Sequence, residues 1–148
     1  MFFGTYAHRL NTKNQVAMPA RLRAQAEREG GELVFYAVPE DDRCLYLYTR
    51  SELEKVFAAL RAKSMEGVAD FRRLFSSRVH PVECDSQGRV LLSEELKSAA
   101  GIDRDVVFVG NAERIELWPA EKWGAYRAGR EAGYTARMKR TMSELFEW

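Results

Sequence analysis

The chain has 148 residues, 46% of them apolar and 30% charged, with a formal net charge of +1. That composition excludes a disordered tail or a fibrous repeat, and the length suits one mid-sized domain that buries roughly two-thirds of its unfolded surface. So even a balance of charge selects neither nucleic acid nor a membrane surface as partner, so any electrostatic argument rests on where the charges lie.

In chain order, residues 1–26 carry Arg9, Lys13, Arg21 and Arg23 and no acid. Within them, NTKNQVAMPARLR (residues 11–23) reads as a polar turn, a short apolar strand and a helix start. Asn11 is able to close an Asx turn, Asn14 is the non-glycine residue best suited to a left-handed backbone, and Pro19 is acceptable in a helix's first turn. LVFY (33–36) and CLYLY (44–48) follow as strands, joined through a solvated turn at Asp41 and Asp42. Thr49 to Glu52 has capping-box spacing, and Leu53, Val56, Phe57 and Leu60 recur as on one face of a helix. Val68, Phe71, Leu74 and Phe75 mark a second helix entered through Gly67, and Pro81 returns the chain to an extended path.

DSQGRVLLSEELK (85–97) is built on the same plan as 11–23. Asn11 aligns with Asp85, Val16 to Met18 with Val90 to Leu92, and Leu22 with Leu96. After a shorter spacer, LVFY matches VVFV (106–109) and CLYLYTRSEL (44–53) matches RIELWPAEKW (114–123). Each half therefore runs turn, strand, short helix, strand, turn, strand, helix, and too few strands lie in either half to close a core alone. Ser93 reads as an N-cap, with Glu94 and Glu95 placed for the helix dipole. Pro119 opens a helix carrying Trp123 and Tyr126, with interruptions expected at Gly129 and Gly133. The last stretch, TARMKRTMSELFEW (135–148), aligns Met138, Met142 and Leu145 and is expected to dock on its own domain or a sister subunit, with nucleic-acid contact through Arg137 to Arg140 as the alternative. A second basic segment comprises Arg127, Arg130, Arg137, Lys139 and Arg140, opposed only by Glu131.

The pattern offers no enzyme. His8 and His80 stand alone, and neither a glycine-rich phosphate loop nor metal-ligand spacing is present, so no cofactor or metal is expected. Cys44 and Cys84 lack CxxC spacing and no long apolar run occurs, which fits a reduced cytoplasmic compartment without a membrane-spanning helix. Tyr36, Tyr46, Tyr48, Trp118 and Trp123 fall at core spacing and read as core or subunit-contact residues, not base-stacking platforms. In DSQGR, Asp85 is placed to bond amides of its own turn, Gly88 to take a positive φ, and Arg89 to follow at the strand's start. A guanidinium held there suits a phosphate or a guanine edge, and equally an internal salt bridge.

Read together, MFFGTYAHRL, Pro19, CLYLY, DSQGRVLL, GIDRDVVFVGNAERIELW and Trp123 make the chain resemble the MraZ family over residues 1 to about 130. The resemblance implies a β-rich α+β fold: two tandem repeats forming a double-split, swapped-hairpin β-barrel with flanking helices, related to AbrB-type DNA-binding folds. On this plan residues 1–148 form a single pseudo-twofold domain. Repeat one spans about 4–60, bridging helices about 51–78, repeat two about 79–130, and a helical tail 131–148. The resemblance further implies a sequence-specific transcriptional regulator of the bacterial division and cell-wall gene cluster. Its implied partners are double-stranded DNA and itself, as a ring-shaped homo-oligomer, in the cytoplasm and associated with the nucleoid. No cofactor, membrane or small-molecule substrate is implied.

One departure bears on this expectation. The family motif is Asp-x-x-Gly-Arg in both halves, whereas the first half here reads Asn11-Thr12-Lys13-Asn14-Gln15, and position 3, often basic in the family, is Phe3. Gln15 cannot clamp guanine O6 and N7 but is able to pair with adenine N6 and N7. The expected DNA contacts are Lys13, Gln15, Arg21, Arg23 and Arg89, and the expected turn-structuring residues are Asn11, Asn14, Asp85 and Gly88. The competing expectation is a divergent oligomeric scaffold that has lost specific DNA binding because its first motif is degenerate.

Overall fold

The computed structural model describes residues 1–30, 33–40, 43–64 and 66–146. Asp41, Asp42 and Trp148 lie outside them. Among the described residues the order is β1 (Thr5–Arg9), β2 (Gln15–Ala17), α1 (Ala20–Gly30), β3 (Val34–Glu40), β4 (Cys44–Thr49), α2 (Arg50–Ala62) and α3 (Val68–Ser77). The second half continues with β5 (His80–Glu83), β6 (Arg89–Leu91), α4 (Glu94–Ala100), β7 (Asp105–Asn111), β8 (Arg114–Pro119), α5 (Ala120–Glu131) and α6 (Tyr134–Phe146). This is a mixed α+β molecule.

All pairing among the described residues is antiparallel. Six strands form one sheet in the order β1-β7-β8-β4-β3-β5, and β2 pairs with β6 in a separate two-stranded ribbon. β1 and β5 are the two edges of the large sheet, so its hydrogen-bond ladder is open and does not close into the expected barrel. The physical reason lies at the polar turns. Each edge strand leaves the sheet there, and the residues that follow spend their backbone groups on the ribbon: Gln15 pairs with Leu91, Val16 with Val90 and Ala17 with Arg89. The strand partners cross between the halves, since β1 pairs with β7 and β5 with β3.

One core unites these layers. Phe35, Leu45, Leu47, Phe108, Ile115 and Leu117 come from the large sheet, Val16 and Val90 from the ribbon, Leu22 from α1 and Leu96 from α4. Burying each such side chain stabilises the fold by about 1.5–3 kcal/mol. Phe2 joins the core because residues 2–4 cross β7 at Gly110. A Cβ on Gly110 would lie 2.3 Å from the Phe3 nitrogen, and the freed space lets Gly110 N donate to Gly4 O at 2.8 Å.

The helices beyond the core are held locally. Thr49 Oγ1 accepts from Glu52 N at 3.3 Å and starts α2, whose Phe57 meets Phe75 of α3 edge-on at 5.7 Å. Pro119 precedes α5, where Trp118, Trp123 and Tyr126 cluster with ring centroids 5.0–5.6 Å apart. Glycine at 129 does not interrupt this helix as expected, because a helix tolerates one glycine at about 1 kcal/mol; the break falls at Gly133, where φ is +76°. No described residue of α6 is buried, and Tyr134 and Leu145 are 58% and 66% exposed, so α6 adds nothing to the core of its own chain. Tyr126 carries the Arg130 guanidinium 3.9 Å over its ring.

Candidate nucleic-acid interface

Two turns of one design cap the ends of the β2–β6 ribbon. In the first, Asn11 Oδ1 accepts from Lys13 N and Gln15 N, both at 2.9 Å. In the second, Asp85 Oδ1 accepts from Gln87 N and Arg89 N, again both at 2.9 Å. Each turn closes with a backbone bond, Asn14 N to Asn11 O at 3.1 Å and Gly88 N to Asp85 O at 3.0 Å. The left-handed position falls on Asn14 (φ +60°) and Gly88 (φ +79°).

The two turns also hold each other's half in place. Met18 N donates to Gly88 O and Leu92 N to Asn14 O, each at 2.9 Å. From α1, Arg23 lies over the second turn so closely that a Cβ on Gly88 would fall 1.6 Å from its Nη1. From α4, Lys97 takes the corresponding place over the first turn, its Nζ donating to Asn14 Oδ1 at 2.9 Å. Asn14 Nδ2 in turn donates to Glu94 Oε1 at 2.9 Å. A basic side chain from one half thus roofs the tight turn of the other.

The side-chain bond within each turn is conserved in shape and reversed in polarity. Arg89 Nε donates to Asp85 Oδ2 at 3.2 Å, whereas Asn11 Nδ2 donates to Gln15 Oε1 at 3.0 Å. An ion pair in one turn is answered by an amide pair in the other. Asp85 is held below the usual carboxylate range, chiefly by the Arg89 backbone N–H; desolvation, next in size, opposes this, and the Gln87 N–H and the Arg89 guanidinium add to the lowering. The pair uses Arg89 Nε and leaves its two terminal amino groups available to an outside acceptor.

The ribbon sorts its residues by alternation. Val16 and Val90 point into the core at 1% exposure, so Gln15, Ala17, Arg89 and Leu91 share the outward face. Lys13 is exposed beside the first turn and Arg21 on α1. Arg21, Arg23, Ala17, His8, Gln87 and Gly88 line one shallow concavity along the ribbon. The residues anticipated from sequence as DNA contacts thus fall on or beside the ribbon, with Arg23 laid inward over Gly88. Sequence reasoning missed Lys97 and Glu94, which brace the first turn; setting residues 11–23 on 85–97, which puts Arg23 on Lys97, would have found the former. It also missed Ala17 and Leu91, which strand alternation out from Val16 and Val90 would have placed outside.

A second polar cluster lies on the large sheet. Glu116, 6% exposed, accepts from Asn111 Nδ2 at 3.0 Å, Arg114 Nε at 2.9 Å and Trp118 Nε1 at 3.0 Å. Arg114 stacks 3.8 Å over the Tyr46 ring, and burial is the chief cause that pushes the Tyr46 phenol up to about 12. With three donors held on one carboxylate, this cluster braces the β7–β8 hairpin.

Fold and site together define an antiparallel α+β protein that presents a short two-stranded ribbon, bordered by cationic side chains, to something outside the chain. A family model described as "MraZ protein, putative antitoxin-like" matches residues 75–145. The chain is 34% identical over 137 residues to the transcriptional regulator MraZ of Micrococcus luteus, covering 91% of this chain and 92% of the relative. It is 39% identical over 132 residues to that of Symbiobacterium thermophilum, covering 88% and 91%. To that of Clavibacter michiganensis it is 30% identical over 148 residues, covering 99% and 100%. The chain belongs to the MraZ family.

Proposed function

We propose that the protein is a sequence-specific, DNA-binding transcriptional regulator, the role named in its relatives. The observation that carries this reading is the placement of Gln15 and Arg89 on one outward ribbon face, about 7–8 Å apart as diagonal cross-strand neighbours. A two-stranded ribbon fits the major groove. There Arg89, oriented by Asp85, offers its terminal amino groups to guanine O6 and N7, and Gln15 offers its amide to adenine N6 and N7. Lys13 and Arg21 neutralise phosphates, and Arg23 adds charge where it roofs the second turn. Asn11, Asn14, Asp85 and Gly88 aim these side chains by shaping the turns.

In this reading the crossed pairing of β1 with β7, β5 with β3 and β2 with β6 reflects a swapped-hairpin arrangement of two repeats. The regulator works in the cytoplasm, at the nucleoid, as a ring-shaped homo-oligomer on the division and cell-wall gene cluster. Exposed apolar side chains on α3 (Phe71, Leu74) and α6 (Met138, Leu145) supply surface for subunit contacts. One observation favours the second reading, a scaffold without specific binding: Gln15 Oε1 already accepts from Asn11. Fluorescence anisotropy with the duplex upstream of the protein's own gene and a scrambled duplex, at two salt concentrations, separates the two. Binding that survives scrambled competitor supports the regulator. Binding that is absent, or equal on both duplexes and abolished by salt, supports the scaffold.

A further inference from the structure

The outward face of the ribbon carries two apolar side chains inside a cationic border. Register sets Leu91 opposite Gln15 and Ala17 opposite Arg89. Leu91 is 59% exposed although its neighbours Val90 and Leu92 are each 1% exposed. Ala17 is exposed as well, in the concavity it shares with Arg21 and Arg23. Asp85 and Glu94, the acids bonded to the two turns, are already engaged, Asp85 by Arg89 and Glu94 by Asn14. What suits such a surface is a polyanion bearing small apolar groups at fixed places. Duplex DNA is one, since the C5-methyl of thymine is the apolar feature of the major groove. The spacing agrees. Outward residues along one strand are about 6.7 Å apart, close to two base-pair steps of about 3.4 Å.

We infer that Leu91 and Ala17 are specificity-determining residues that receive thymine methyl groups, Leu91 beside the base read by Gln15 and Ala17 beside the base read by Arg89. This rests on the DNA-binding reading and adds base identity at positions that the two polar side chains leave unread. It makes the ribbon a four-residue reader, with one hydrogen-bonding and one apolar contact at each end.

The test begins with selection of duplexes from a randomised pool by the full chain. Each thymine of the enriched site is then replaced singly by deoxyuridine, which removes only the methyl group. Affinities are measured for the unaltered protein and for Leu91→Ala, with circular dichroism and oligomer mass as controls. At one thymine, methyl removal weakens the unaltered protein about fourfold, the effect of one buried methyl-sized group, and leaves Leu91→Ala nearly unaffected, as a coupled pair requires. Deoxyuridine without effect at every position, or with equal effect on both proteins, overturns the inference while leaving DNA binding intact. A Leu91→Ala variant whose oligomer mass changes while deoxyuridine is neutral assigns the ribbon to a second copy of the chain. A pool that yields no enriched duplex overturns the DNA-binding reading itself, and this inference with it.

Discussion

Restoring an arginine to the first turn tests how the turns work, and the structure says that one substitution is not enough. In Gln15→Arg, the new guanidinium meets Asn11 Nδ2, and both groups only donate. Asn11 cannot flip its amide to help, because Oδ1 holds the Lys13 and Gln15 amides at 2.9 Å. Asn11→Asp together with Gln15→Arg rebuilds the second turn's arrangement, with one carboxylate oxygen on two backbone amides and the other on Nε. A bidentate guanine contact discriminates by about 1–3 kcal/mol, so the double variant gains about 5- to 150-fold on a site carrying guanine at that position. Its advantage over Gln15→Arg alone comes from holding the side chain in advance. About 0.5–1.5 kcal/mol for one immobilised side chain corresponds to a factor of about 2 to 12. Anisotropy titrations of both single variants and the double, on duplexes with adenine or guanine at the queried position, close a double-mutant cycle. Equal gains from the single and double variants would refute the positioning role of the turn carboxylate. No change on either duplex would remove the first turn from the DNA surface.

Asp85 gives a pH prediction. Its folded pKa lies below the ordinary value of 3.8, so the unfolded chain binds the proton more readily. The stability this carboxylate contributes is therefore present above pH 3.8 and is lost as pH falls through its folded value. Carboxyl NMR of the Arg89→Ala variant should still show titration below 3.8, since the backbone donors remain; titration at or above 3.8 contradicts the assigned cause. For Glu116→Ala, removal of the acceptor leaves Asn111 Nδ2, Arg114 Nε and Trp118 Nε1 without their carboxylate. With the Arg114 side chain 30% exposed, urea unfolding should show a loss of about 2–3 kcal/mol, short of the ~3–5 kcal/mol for a fully buried pair. A loss under about 0.5 kcal/mol would show that water replaces the carboxylate.

Local chemistry is legible in the sequence wherever a few neighbouring residues decide the outcome. The Thr49 and Ser93 caps each need one hydroxyl and an amide three residues on. The likeness of residues 11–23 to 85–97 is visible as residues, and the α+β character follows from short alternating runs set between helical spacings. Gly129 shows where even local reasoning overreached: a glycine is permissive, and the surrounding helix decided its conformation.

Tertiary structure decided everything that joins distant residues. The pairing of β2 with β6, and so the common face of Gln15, Ala17, Arg89 and Leu91, is a long-range choice made by burying Val16 and Val90 in one core. Arg23 and Lys97 look like ordinary surface cations in the sequence, and their place over Gly88 and Asn14 exists only because each helix packs across the opposite turn. The open ladder and the exposed α6 have the same origin, since alternation and amphipathicity show which face is apolar and say nothing of what will cover it. The sequence by itself determined the turns, their chemistry and the apolar stripes; the tertiary structure determined which turns meet and what they jointly present.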